Sequence, residues 1–125
     1  MRSVNKVVLI GHVASDPEQN TTKTGKTLCY FPLATNRDWV DSSGEKHEST
    51  DYHRIVAWQK LGDICTDYVT KGKALYVDGR LTNRSYKNKE GEMKYYTEIV
   101  ADTVNFLSVK NKSNEINVEE VSKNK

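Results

Sequence analysis

The chain has 125 residues, enough to enclose one hydrophobic core and most simply read as one domain. Hydrophobic residues make up 36% and charged residues 29%, and no apolar run approaches the ~18 residues of a membrane span, so a membrane protein is not expected. The net charge of +2 is too small to announce a polyanion binder, so the distribution of charge matters more than its sum.

Met1 to Lys6 leads straight into an apolar run with no signal-peptide pattern, and a cytoplasmic protein is expected. Lys6 to Ala14 reads as a first strand whose continuous apolar character suggests burial on both sides. Asp16-Pro17 breaks it, and Thr21 to Lys26 is polar with a turn at Gly25. Thr27 to Thr35 is a second strand, with Pro32 marking an edge or a bulge. Asn36 to Thr50 is hydrophilic, a loop or hairpin tip around Asp41 to Glu45, with Trp39 at its entrance. The third strand is Tyr52 to Trp58, and the one helix spans Gln59 to Thr70. Leu61, Ile64, Cys65, Tyr68 and Val69 give that helix a single apolar stripe, and Gly72 stands where a helix-ending glycine belongs. Ala74 to Tyr86 and Glu92 to Val100 form a hairpin around Lys89-Glu90-Gly91, and Thr103 to Val109 completes the sheet. From residue 110 to 125 the text is polar, with too few apolar residues to anchor it, and a disordered tail is expected after a domain of residues 1–109. Cys29 and Cys65 lie far apart outside any CxxC pattern, which predicts reduced core thiols.

Three strands, one helix and two more strands is the order of an all-β, five-stranded oligonucleotide-binding (OB) barrel with its helix between strands three and four. A sandwich does not explain the helix, and a ferredoxin-like fold needs two.

Alternation sends Tyr52, Arg54, Val56 and Trp58 to one face of the third strand, and His53, Ile55 and Ala57 to the other. Two rings with a guanidinium between them cover a core poorly and suit unpaired bases, which stack on aromatic faces while their phosphates meet Arg. The bland alternative is a core strand with Arg54 in a local ion pair. The fourth strand repeats the logic, with Arg80, Thr82, Arg84 and Tyr86 on one face. If the barrel forms in this order, Trp39, Tyr52, Trp58 and Tyr86 can line one concave surface with Arg54, Arg80 and Arg84 between them. Lys71 to Lys94 also carries seven Lys or Arg against three acids, a candidate phosphate stripe that includes Lys71 and Lys73.

Val4 to Gly11, Asp16-Pro17, Leu33-Ala34-Thr35, Thr50 to Val56, Lys71-Gly72, Val77 to Leu81 and Tyr96-Thr97-Glu98 occur in an order and spacing that resembles the bacterial single-stranded-DNA-binding proteins. The resemblance covers residues 3–108. It implies a homotetrameric barrel that binds and protects single-stranded DNA, without reading its sequence, during replication, recombination and repair. The family's stacking positions fall on Trp39, Tyr52, Trp58 and Tyr86, its Val-Asn-Lys lysine on Lys6, and the basic residue after the third strand on Lys60. His53 matches a position near the family's subunit contacts. Two departures follow. Thr82 to Ser85 is less basic than in many members, which implies weaker and less salt-dependent phosphate binding. Members usually end in a flexible linker and an acidic tip closing on Phe that recruits partner enzymes, whereas this chain ends Ser122-Lys123-Asn124-Lys125. Recruitment through such a tip is therefore not expected of these residues, which fits a plasmid, phage, organelle or accessory version, or a truncated sequence.

His12, Asp16, His47, Glu48 and His53 make no HExxH or paired-Cys pattern, so no metal, cofactor or enzymatic activity is expected. Competing binding modules are a structured-RNA or tRNA-binding barrel and a replication-assembly adaptor, the latter having no need of a stacking ladder.

Overall fold

The computed structural model describes residues 1–109 and 116–119. Its strands are β1 (Val7–Val13), β2 (Glu18–Thr21), β3 (Thr27–Val40), β4 (Lys46–Trp58), β5 (Ala74–Lys87), β6 (Met93–Val109) and β7 (Ile116–Glu119), and helix α1 (Gln59–Tyr68) joins β4 to β5.

Three five-residue turns, Thr22–Lys26, Asp41–Glu45 and Asn88–Glu92, share one local chemistry. The first residue's side-chain oxygen accepts backbone N–H groups of its own turn: Thr22 from Lys26, Asp41 from Ser43 and Glu45, and Asn88 from Glu90 and Glu92. The fourth residue is Gly25, Gly44 or Gly91, at φ +88°, +88° and +83°, a conformation that costs a residue with a Cβ. These turns fold β2 onto β3, β3 onto β4 and β5 onto β6, in antiparallel registers that run to the strand ends.

Closure is a matter of long-range pairing. The order β1-β5-β6-β4-β3 returns to β1 through His12–Ala34 and Val13–Leu33. The β4–β6 seam is parallel and short, at Ile55–Ile99 and Val56–Val100. Two glycines let backbones touch, Gly11 where β1 meets β3 and Gly79 at the irregularity in the β5–β6 pairing. A Cβ on Gly11 would lie 2.2 Å from the Ala34 carbonyl oxygen, and one on Gly79 2.0 Å from that of Val100. Inside, Phe31, Leu33, Ile55, Leu75, Val77 and Val104 are fully buried with Cys65 and Val69 from α1 and the loop that follows it. Each such apolar side chain contributes about 1.5–3 kcal/mol by leaving water. Both cysteines are free and buried; burial pushes the Cys65 thiol up to about 12, the neighbouring Cys29 adding to it.

The chain is the expected OB barrel with its helix between the third and fourth barrel strands, since β2 adds only a short outer ribbon. Several local expectations change. β1 is buried on one side only: Val8 and Ile10 are 55% and 56% exposed, because nothing among the described residues covers its outer face. Residues 36–50 are mostly strand, since β3 and β4 continue past the barrel to the Asp41 turn. Pro32 is no edge residue but sits where β3 exchanges its β2 partner for β1, a gap where no N–H is needed; its carbonyl accepts from Ala14 N at 2.9 Å. The helix ends at Tyr68, which is exposed, and it packs through Gly62 and Cys65 instead. Gly62 makes that approach possible, for a Cβ there would meet the Ala57 oxygen at 2.6 Å. Gly72 ties the chain to β1 through Val13 O rather than capping the helix. The two last predicted strands are one, β6, with Asp102 as the extra residue of a bulge. Of the predicted tail, 116–119 pair with β6 as β7; the rest lies outside the described residues.

Candidate nucleic-acid interface

Alternation along four neighbouring strands builds one outer strip. On β3, Cys29, Phe31 and Leu33 point into the core, so Leu28, Tyr30, Pro32 and Ala34 point out. The register sets these opposite Trp58, Val56, Arg54 and Tyr52 of β4. On the far side, Arg80, Thr82, Arg84 and Tyr86 of β5 stand opposite Val100, Glu98, Tyr96 and Lys94 of β6. The Val56–Val100 seam joins the two halves.

At the centre of the strip is Glu98, only 5% exposed. Its Oε2 accepts from Arg54 Nε and its Oε1 from Arg84 Nε, each at 3.0 Å. The local ion pair considered for Arg54 therefore exists, yet it does not bury the arginine, since both guanidinium-bearing side chains remain more than 40% exposed. The Arg54 guanidinium lies 4.2 Å above the Tyr30 ring and 5.7 Å from that of Tyr96. Tyr96 in turn meets Tyr86 edge to face at 5.9 Å. The ribbon β2 fixes the ring below: Tyr30 Oη donates to Glu18 at 3.3 Å and accepts from Asn20 at 2.9 Å. Two shallow clefts flank the centre, one between Arg54, Tyr86, Lys94, Tyr95 and Tyr96, the other running from Arg54 and Tyr52 to Asp16.

The sequence-predicted residues divide into groups. Tyr52, Arg54, Trp58, Arg80, Arg84 and Tyr86 share the strip; Tyr52 is its most open ring at 68%, and Trp58 is partly buried. Lys60 is exposed in the first turn of α1, just past Trp58. Lys6 reaches Asp78 at 3.7 Å beside the Arg80 end, where Asn5 pairs with the Leu81 backbone through its side-chain amide. Lys71 and Lys73 stand at the opposite end of β5. Lys73 Nζ donates to Tyr68 O at 3.1 Å and lies over the Phe106 ring, so the basic run is split rather than continuous.

Trp39 is placed differently from the expected single surface. It pairs with His47 on the face that continues the core-side parity, opposite to Tyr52 and Trp58, because the β3–β4 register runs without a slip. Its ring stacks on His47 at 5.3 Å and 17°, and the Arg37 guanidinium lies 5.2 Å from its centroid. His47 Nε2 is 2.8 Å from Asp41 Oδ2. That nitrogen, the Ser43 hydroxyl and the turn N–H groups hold the Asp41 carboxyl well below the usual carboxylate range. Asp41, Glu45 and His47 could together reach a cation, but the Asp41 oxygens already serve the turn. His53 turns away from the strip and hydrogen-bonds Thr35 Oγ1 at 2.9 Å.

Sequence reasoning missed Tyr30, Tyr96 and Glu98. The inward Cys29 and Phe31 could have signalled Tyr30. Nothing local signals that Glu98 meets Arg54, which is 44 residues away.

A family model described as the single-strand binding protein family matches residues 4–107. The "Single-stranded DNA-binding protein 1" of Chlorobaculum tepidum is 49% identical over 110 residues, covering 87% of this chain and 68% of the relative. A protein of the same name from Staphylococcus aureus is 40% identical over 108 residues, covering 86% and 68%. Among solved structures, the Plasmodium falciparum SSB in complex with ssDNA superposes with a TM-score of 0.79 at 35% identity, over 86% of this chain and 98% of that one. A deletion mutant of the single-stranded DNA binding protein from Thermus aquaticus gives 0.74 at 28% identity, over 89% and 53%.

Proposed function

The chain belongs to the single-strand binding protein family, and from that membership we propose that it binds single-stranded DNA without reading its sequence. Bases stack on the exposed rings of the strip, and phosphates meet the outward N–H groups of Arg54, Arg84 and Arg80, with Lys6 and Lys60 at the margins. The observation that carries this is the pair of half-exposed arginines held by one buried carboxylate, Arg54 lying in addition over the Tyr30 ring and beside that of Tyr96. Stacking contributes about 1–3 kcal/mol per base and is indifferent to base identity. A major-groove reader would present a helix or ribbon with base-edge donors instead. Trp39, on the other face of its hairpin, extends contact to a strand that wraps around β3–β4.

The uncovered apolar face of β1, with Val8 and Ile10, supports assembly of copies of this chain, and a homotetramer is the form proposed. The setting proposed is the protection of exposed strands in replication, recombination and repair, in the cytoplasm at the nucleoid. No helix among the described residues is long and apolar enough to cross a membrane.

Trp39 and Trp58 are the chain's two tryptophans, so their emission reports on the proposed site. Oligo-dT should quench it strongly, oligo-U comparably or less, and duplex DNA far more weakly, with affinity falling as salt rises. Equal affinity for duplex and single strand would sink the proposal.

A further inference from the structure

We infer that Glu98 is a positioning residue for the bound strand: it fixes the two guanidinium planes that meet phosphate, although its own charge repels phosphate. The inference rests on the single-strand reading above.

A carboxylate in the middle of a phosphate-tracking face is the wrong sign. It lowers the charge of the Arg54–Glu98–Arg84 group from +2 to +1, and on Coulombic grounds alone the face would bind better without it. Yet it is not a stray surface acid. It is 5% exposed, and each oxygen is committed to one Nε at 3.0 Å.

The choice of atom matters. A guanidinium has five N–H donors in a rigid fork. Engaging Nε leaves the four Nη hydrogens free, and the exposed side chains show that these remain within reach of solvent. Tyr30 fixes the plane of Arg54 from below at 4.2 Å. A free Arg loses much rotamer freedom when it grips a phosphate, and an Arg already held loses little. The repulsion Glu98 exerts on a phosphate is partly cancelled by the two arginines and screened over about 8 Å at physiological salt. Orientation therefore outweighs charge here.

The test compares wild type, E98D and E98Q by oligo-dT titration of tryptophan emission at two salt concentrations, with thermal midpoints as the control for folding. E98D keeps the charge but retracts the carboxylate by one methylene, so it cannot span both Nε atoms. E98Q removes the repelling charge, but its amide offers one acceptor and turns an N–H toward a guanidinium. Both should bind about tenfold more weakly, the loss expected when a charge-assisted hydrogen bond goes. In an R54Q/R84Q background neither change should weaken binding further, and E98Q should if anything tighten it, because only the repelling charge is then lost. Binding by E98Q as tight as wild type, or tighter, overturns the inference.

If the Glu98 variants do not fold, R84K replaces them. It keeps the positive charge and loses the Nε bond, so unchanged affinity overturns the inference and a loss of about fivefold supports it. A wild-type chain that ignores oligo-dT fails at the first titration, and then the single-strand reading itself is what falls.

Discussion

Two long hairpins leave the barrel, and they hold their aromatic rings by different means. In the β3–β4 hairpin, Trp39 is fixed by its own tip: it stacks on His47, which is held by Asp41, whose other oxygen serves the turn. All of these residues lie within nine positions of one another and are at least partly open to water. In the β5–β6 hairpin, Tyr86 leans on Tyr96, beside the cluster at Glu98, a buried carboxylate that β4 shares. The first device is local and survives on short-range contacts. The second exists only when the barrel has closed. A ring can therefore be presented either by a self-sufficient turn or by the tertiary fold, and the two should respond differently to mutation.

The largest effect expected is at the root of the β5–β6 hairpin. Gly79→Ala would push a Cβ to 2.0 Å from the Val100 oxygen, and this overpacking should lower stability by about 3 kcal/mol in denaturant unfolding. Retained stability would mean the β5–β6 arm does not depend on close contact at the root.

Next come the rings. Trp39→Ala and Tyr86→Ala should each weaken oligo-dT binding by about 1–3 kcal/mol. With the rings on separate hairpins, the double variant should be additive to within about 0.5 kcal/mol. Marked non-additivity would show that the two devices act as one.

At the tip of β3–β4, Gly44→Ala meets no neighbour but is strained by φ +88°. A loss of about 1 kcal/mol is expected, smaller than at the root. A loss as large as that of Gly79→Ala would remove the contrast between tip and root.

The smallest effect is a pH dependence at Asp41. A carboxyl whose folded pKa is depressed stabilises the turn above its unfolded pKa, about 3.9, and that contribution fades as pH falls through the lower folded value. In a Trp58→Phe background, Trp39 emission should therefore pass pH 4 unchanged and shift only well below it. In Asp41→Asn the emission at neutral pH should already differ from that of the parent. A midpoint at pH 4 would show that His47 does not hold the carboxyl.

Much of the barrel was legible because its strands follow period two and its helix sits alone between them. Burial alternates along Thr27 to Leu33, and in Tyr52 to Trp58 strand parity alone places Tyr52, Arg54 and Trp58 on one face, although Val56 between them is buried. β1 misled because an uninterrupted apolar run reads the same whether its second face meets the chain's own core or is left open. The hydrophilic 36–50 stretch misled in the other direction. Polar strands that project from a sheet carry no hydrophobic alternation to betray them, although the Asp41 and Gly44 spacing of the turn was there to see.

What the sequence determined by itself is local: the three turns with a capping side chain first and glycine fourth, the identity of the core strands, and which residues share a face within one strand. Those depend on φ preferences, alternation and side-chain hydrogen bonds that span five residues or fewer. What only the tertiary structure decided is which faces meet. Arg54 and Glu98 lie 44 residues apart, and they meet because β4 and β6 close the barrel in parallel at two residue pairs. Trp39 parts from Tyr52 because the β3–β4 register runs without a slip. Register is set by the packing of the whole core, and a shift of one residue would exchange the faces of a strand.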